Sequence, residues 1–215
     1  MTAGRFITFE GIDGAGKSSQ AQHLADTLRA AGRDVVLTRE PGGSPGAEDI
    51  RHLLVDGPPD RWSAETEILL FTAARRDHLE RTISPALAAG RTVICDRFAD
   101  STRVYQGATR GDLRAIVDAL HAQMIGIEPA LTLILDLAPD RAAARMRQRA
   151  GAAARFEAFG TGFQDRLRAG FRALAEAFPA RCVIVDADRD AALIAADIAR
   201  IAARRLAVVA PAPAP

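Results

Sequence analysis

Lysine occurs once in this 215-residue chain, at Lys17, although lysine and arginine together number 28. Every other member of that set is arginine. Lys17 lies in the stretch FEGIDGAGKSSQ, Phe9 to Gln20, where Gly11, Gly16, Lys17 and Ser18 fit the spacing GxxxxGK[ST]. Gly11, Gly14 and Gly16 let the backbone between them turn its N–H groups inward around phosphate oxygens, and a helix that follows adds the positive end of its dipole. The cradle so formed would comprise Gly11, Ile12, Asp13, Gly14, Ala15, Gly16, Lys17, Ser18 and Ser19. A compact ammonium on a flexible stem reaches over such a loop to the β and γ phosphates, whereas a planar guanidinium is too wide for it. A restriction of shape explains why an otherwise arginine-only chain keeps one lysine. The structural alternative is a glycine-rich turn capping a helix; a strand before the stretch and a helix after it argue for the cradle.

Ser18 then has the position of a hydroxyl ligand to Mg²⁺. A second ligand on the magnesium side has to come from the end of a neighbouring strand, and TVICDR offers Asp96, which could otherwise be a turn cap. Proteins with such loops include GTPases, ATPases and small-molecule kinases. GTPases that read guanine through Asn-Lys-x-Asp are excluded, since the chain has no asparagine and no second lysine. Kinases need a second anion site and arginines that neutralise charge as the phosphoryl group moves, and arginine is abundant here.

These residues need elements to hold them. RFITFE (5 to 10), DVVLTRE (34 to 40), TVICD (92 to 96), LTLILDL (131 to 137) and CVIVDA (182 to 187) read as strands buried on both faces. Helical patterns lie between them: Lys17 to Ala31, Ala47 to Val55, Ala64 to Ala89, Leu113 to Ile125, Arg141 to Arg149, Phe163 to Phe178 and Ala191 to Leu206. The alternation predicts an α/β fold with a five-stranded parallel sheet surrounded by helices, in one domain over 1–208, followed by a disordered Ala/Pro tail at 209–215. Hydrophobic content of 48%, charged content of 26% and a net charge of +1 exclude a disordered or polyelectrolyte chain and demand neither nucleic acid nor a membrane as partner. Cys95 and Cys182 sit in apolar runs without metal-ligand spacing, so free buried thiols in a reducing compartment are expected. With no hydrophobic leader core at the N-terminus and no apolar run of spanning length, a cytoplasmic location is the expectation.

Four segments together, FEGIDGAGK, TREPGG (38 to 43), LLFTAARRDHL (69 to 79) and DRFADSTRVYQG (96 to 107), resemble the thymidylate (dTMP) kinase family, bacterial-type subgroup, in order and spacing. The resemblance runs from Phe6 to about Asp186. It implies the nucleoside monophosphate kinase type of P-loop fold, usually a homodimer, with ATP as phosphoryl donor and Mg²⁺ as cofactor. Carried over by position, Asp13 looks like the carboxylate that meets the sugar 3′-hydroxyl; an Asx turn is the alternative. Arg39, Glu40 and Pro41 resemble the segment lining the acceptor pocket, and Arg51 a phosphate contact. Phe71 resembles the ring that stacks on thymine and Arg75 the donor beside the base. Their spacing of four places them on one helix face, where spacing alone would leave Phe71 a core residue. Arg97 resembles the grip on the dTMP phosphate, with Ser101, Thr102, Tyr105 and Gln106 completing the pocket.

The segment DRAAARMRQRAGAAARFEAFG (140 to 160) resembles the mobile, arginine-rich lid of that family. Arg141, Arg145 and Arg149 form one helix stripe, which in isolation reads as a solvated face. Arg155, inside a Gly/Ala stretch, is the better candidate to close over the transferring phosphates; with Gly14 rather than arginine after Asp13 in the loop, the resemblance to the bacterial-type subgroup implies that a lid arginine supplies that charge. Ala154 and Phe159 stand where acids are expected near the lid arginine, and only Glu157 is retained, so the choice between Arg155 and Arg149 as the catalytic partner of Lys17 and Arg97 stays open. The expected activity is transfer of the ATP γ-phosphoryl group to dTMP, giving dTDP and ADP. A kinase for another nucleoside monophosphate and a P-loop ATPase switch are the alternatives.

Overall fold

Strand β1 (Arg5–Glu10) is the middle of a five-stranded sheet whose order is β2-β3-β1-β4-β5. The computed structural model describes residues 4–58, 60–107, 111–148 and 161–206. The remaining strands are β2 (Val35–Arg39), β3 (Thr92–Asp96), β4 (Leu131–Asp136) and β5 (Cys182–Asp186), and every pairing is parallel. The chain leaves β1 for the outer strand β2, returns to β3 beside β1, and only then crosses to β4 on the opposite side. Such a reversal opens a crevice at the carboxyl ends of the central strands, the usual place for a ligand in an open α/β sheet.

Alternation along β1 divides the core. Ile7 and Phe9 face one layer, where α1 (Lys17–Ala30), α8 (Thr161–Ala177) and α9 (Ala191–Leu206) contribute Leu24, Phe171 and Ile198. Phe6 faces the other, with Val93, Cys95, Phe98 and residues of the long helical stretch that starts at Ala64. Each of the fully buried phenylalanines contributes about 1.5–3 kcal/mol by leaving water. Thr8 bridges to Thr132 of β4 through their hydroxyls at 2.9 Å, so neither polar atom is left without a partner in the core.

The long stretch read as one helix from Ala64 to Ala89 is α3 (Ala64–His78), a π-helical turn over Leu79–Ile83, and α4 (Ser84–Ala88). Pro85 has no N–H to return to the preceding turn, and the wider turn falls just ahead of it. Ser63 caps α3 by accepting the Thr66 N–H. Helix α2 (Pro45–Val55) starts two residues before its expected position, with Pro45 in the first turn where a missing N–H costs nothing. Helix α6 (Arg114–Leu120) also runs into a π-helical turn, His121–Ile125. A short helix, α5 (Ala99–Tyr105), follows β3 where the sequence reading placed none. Helix α7 (Pro139–Gln148) opens the expected lid; the rest of the lid, with Arg149 and Arg155, and the Ala/Pro tail lie outside the described residues. Among the described residues, no helix is long and apolar enough to cross a membrane.

Candidate active site

Register brings the chemistry together. Phe9 of β1 lies opposite Asp96 of β3, so the loop after β1 and the turn after β3 leave the sheet side by side, and the Arg97 N–H donates to Phe9 O at 2.9 Å. The loop Gly11–Gly16 leads into α1, with Gly16 as its N-cap in the left-handed region at φ 98°, a conformation glycine adopts without a Cβ clash. Gly14 is required for space as well: a Cβ there would stand 2.6 Å from Ala142 O of α7. Helix α7 therefore rests directly on the loop, and an arginine side chain at 14 would be excluded.

Lys17 is buried, with Nζ donating to Ile12 O at 2.8 Å and standing 3.8 Å from Asp13 Oδ1. Burial, then the nearby Arg97 charge, brings its pKa down to about 8, against the pull of Asp13, Asp96 and Glu10. An anion laid in the cradle supplies the counter-charge that burial removes. Ser18 Oγ donates to Asp96 Oδ2 at 2.5 Å, while Asp96 Oδ1 is buried and accepts no hydrogen bond among the described residues. An orphaned carboxylate oxygen beside a hydroxyl is a hard-oxygen pair of the kind Mg²⁺ takes, so the residues present fit the metal.

Arg97 is, among the described residues, the one non-glycine residue with a positive φ, 70°. That conformation costs on the order of 1–3 kcal/mol unless its surroundings hold it. They do so through both terminal nitrogens of the guanidinium. Nη1 donates to Gly11 O at 3.1 Å and to Ser101 Oγ at 2.9 Å; Nη2 donates to Asp13 Oδ1 and, at 3.3 Å, to Tyr105 Oη. The guanidinium also lies over the Tyr105 ring, 5.1 Å from its centroid. Burial works against its charge, but Tyr105, Asp13, Asp96 and Glu10 outweigh it and hold the pKa above its ordinary value. Asp13 responds in kind: burial would raise it, yet Arg97 and Lys17 bring it down to about 2. Arg97 thus joins the phosphate loop to α5, and the site carries two fixed cations within an acidic surround.

The acceptor-side residues of the sequence reading separate into two tiers. Arg39 reaches Glu48 Oε2 at 3.0 Å, and Arg51 Nη1 donates to Pro41 O at 2.6 Å beyond the cis Glu40–Pro41 bond. Phe71 is half-buried and outside both core clusters, one turn from Arg75 on α3. Beneath them, Glu40 does not face an open pocket. Its Oε2 accepts Arg75 Nε at 2.8 Å and its Oε1 lies 3.0 Å from His78 Nδ1. A carboxylate can only accept, so Nδ1 carries the hydrogen and Nε2 is left to meet Thr38 Oγ1 at 2.8 Å. Thr102 Oγ1 accepts Arg75 Nη2 at 3.1 Å, and Gln106 Nε2 donates to Glu67 Oε2 at 3.0 Å. Glu40, Thr102 and Gln106 therefore act on Arg75 and its helix.

Arg141 and Arg145, read as a solvated stripe, are tied to the loop after β5: Arg141 Nε donates to Asp188 Oδ1 at 3.0 Å and Arg145 Nη2 to Ala187 O at 2.9 Å. Two residues were missed by sequence reasoning. His78 sits inside the LLFTAARRDHL segment without a role assigned to it, three positions after Arg75. Glu10 ends β1 with no exposed surface, and burial, then Asp100, pushes its pKa up to about 7 against Arg97, Ser101 and the Phe98 N–H. An acid at the last position of a largely apolar run, FITFE, was the signal.

A parallel sheet of this order, a glycine-rich loop running into a buried lysine and an arginine bridging that loop to the next strand's turn define a P-loop nucleotide-binding protein of the phosphotransferase type. Comparison narrows this. A family model for thymidylate kinase matches residues 9–198. Thymidylate kinases of Ruegeria pomeroyi and Dinoroseobacter shibae are 67% and 68% identical over 198 and 195 residues, covering 92% and 91% of this chain and 94% of each relative. The crystal structure of thymidylate kinase from Ehrlichia chaffeensis superposes with a TM-score of 0.74 at 33% identity, covering 93% of this chain and 98% of that one. The chain belongs to the thymidylate kinase family.

Proposed function

We propose that the chain transfers the γ-phosphoryl group of ATP to the 5′-phosphate of dTMP, releasing dTDP and ADP, with Lys17 and Arg97 on either side of the group in transit. The observation that carries this reading is the Arg97 guanidinium, which contacts the phosphate loop through Gly11 O and Asp13 and the α5 segment through Ser101 and Tyr105. A charge in that position is shared by donor and acceptor phosphates. The acceptor oxygen is already anionic, so positioning and neutralisation suffice and no strong general base is needed. Phe71 stacks on thymine, Arg75 donates to the base edge, and Asp13 takes the sugar 3′-hydroxyl. Arg51 and Arg39 add positive charge on the acceptor side.

Ser18 and Asp96 would hold Mg²⁺, which when bound neutralises charge on the donor phosphates. Arg155, with Arg149 as the alternative, completes the positive surround from the lid. A homodimer follows from the family resemblance, and sedimentation would read it directly. The free, buried Cys95 and Cys182 support a cytoplasmic location. Coupled ADP release measured across dTMP, dUMP, UMP, CMP and AMP tests the whole reading. Preference for dTMP supports it; equal turnover on another acceptor, or ATP turnover as fast without any acceptor, overturns it.

A further inference from the structure

Glu10 belongs to none of the roles above, yet it touches both ends of the unit that presents Arg97. Its side chain is fully enclosed at the end of β1, on the face shared with Phe6 and Phe98. Oε1 accepts the Phe98 N–H at 2.8 Å, and Oε2 accepts the Ser101 hydroxyl at 2.5 Å. The first bond fixes the backbone immediately after Arg97. The second fixes the hydroxyl on which Arg97 Nη1 rests at 2.9 Å. On the other side, the Arg97 N–H is held by Phe9 O, the residue before Glu10. The left-handed turn at Arg97 is thus clamped from two successive residues of β1, one through its carbonyl and one through its carboxylate.

We propose that Glu10 is a positioning residue, whose carboxylate holds Arg97 in the backbone turn and side-chain direction that present its guanidinium to the acceptor phosphate. Glu10 touches no substrate atom. It acts through Phe98 and Ser101, and the strand that carries the phosphate loop thereby also sets the acceptor-side cation. One carboxylate tying both to β1 gives the two charges a common frame, and a displacement of the loop is passed to Arg97. The proposal rests on the reading that Arg97 grips the acceptor phosphate, so the experiment has to separate the two.

Calorimetric binding of dTMP and of thymidine, which lacks the phosphate, to the full-length protein does so. Arg97→Ala should weaken dTMP and leave thymidine nearly unchanged. Glu10→Gln keeps an acceptor for the Phe98 N–H but turns an amide toward the Ser101 hydroxyl; it should weaken dTMP roughly tenfold while changing thymidine less than about twofold. Glu10→Asp, which keeps both carboxyl oxygens but withdraws them by one methylene, should do the same and serves if the glutamine variant folds poorly. In an Arg97→Ala background, Glu10→Gln should not change the dTMP-to-thymidine ratio further. An Arg97→Ala shift with no shift in either Glu10 variant overturns the positioning role and leaves the reading of Arg97 standing. No shift in Arg97→Ala overturns both. Equal weakening of dTMP and thymidine in the Glu10 variants marks Glu10 as part of the general scaffold and overturns the proposal.

Discussion

Arg75 and Glu40 form an ion pair at 2.8 Å with side chains only 4% and 3% exposed. Glu40 belongs to the loop after β2 and Arg75 to α3, so the bond fixes a helix that carries Phe71 against the segment that carries Pro41. His78 on the far side of the carboxylate and Thr102 on the far side of the guanidinium add further hydrogen bonds. The desolvation of both charges is thereby offset by directed hydrogen bonds, the condition under which a buried pair is tolerated.

Removing one partner leaves the other charged and enclosed. Glu40→Ala is expected to lower unfolding free energy by about 3–5 kcal/mol. Urea denaturation of the variant and the parent reads this, and a loss below about 1 kcal/mol would show that Arg75 finds another counter-charge.

Shape governs Lys17. Its side chain is buried, and Nζ donates to the loop's own carbonyl at Ile12 O, 2.8 Å away. Lys17→Arg keeps the charge and should still lower kcat by roughly 10²-fold or more, since the misplaced cation no longer meets the transferring group. Steady-state kinetics with dTMP decide it; near-parent turnover would remove the shape argument.

What the sequence made legible follows from what is local. The loop Gly11–Ser18 could be read because its geometry depends on residues adjacent in the chain, and the three inner strands because burial on both faces leaves near-continuous apolar runs; β2 and β5, read in the same way, lie at the sheet edges and keep half-buried and exposed positions. Asp96 could be placed near Ser18 because a strand end constrains it. Glu40 was assigned to the pocket by its neighbours Arg39 and Pro41, and its inward turn depends on Arg75 and His78, 35 and 38 positions away. Helix α5 is only seven residues long and carries no periodic apolar face of its own; its conformation is held by Glu10, 88 positions before Phe98. Contacts of that span leave no trace in spacing or periodicity.

Asp100 shows the same kind of long-range bond and gives an acid-stability prediction. It is 1% exposed and takes Arg181 Nη1 at 2.5 Å, Arg181 Nη2 at 2.9 Å and Arg103 Nη1 at 2.8 Å. Burial pushes its pKa up, but the two arginines outweigh burial and hold it below the usual carboxylate range. A carboxylate whose folded pKa is depressed adds stability above its unfolded pKa and loses it as pH falls through the folded one. Asp100→Asn should therefore destabilise by about 3–5 kcal/mol near neutrality, and the difference from the parent should shrink as pH drops below about 4. Denaturation midpoints at several pH values test this. A difference independent of pH would assign the loss to packing.

Glu10 predicts the opposite slope. Its carboxyl holds a proton in the folded protein up to about 7, because burial and the Asp100 charge disfavour ionisation more than Arg97, Ser101 and the Phe98 N–H favour it. In the unfolded chain the same group ionises near its ordinary 4.5. Between those values the folded state binds more protons, so this group's contribution is fully present at low pH and is lost as pH rises through 7. Glu10→Gln has no such titration. The variant's stability relative to the parent should therefore climb from pH 5 to pH 8, by an amount on the order of 1–3 kcal/mol. The Arg97 positioning role requires that acceptor binding weaken in this same protein. A variant that gains stability above neutrality while losing affinity for the phosphorylated acceptor separates positioning from folding. Thermal midpoints across that pH range check the first half, and a parent-to-variant difference that stays level would show that the buried carboxylate is ionised throughout.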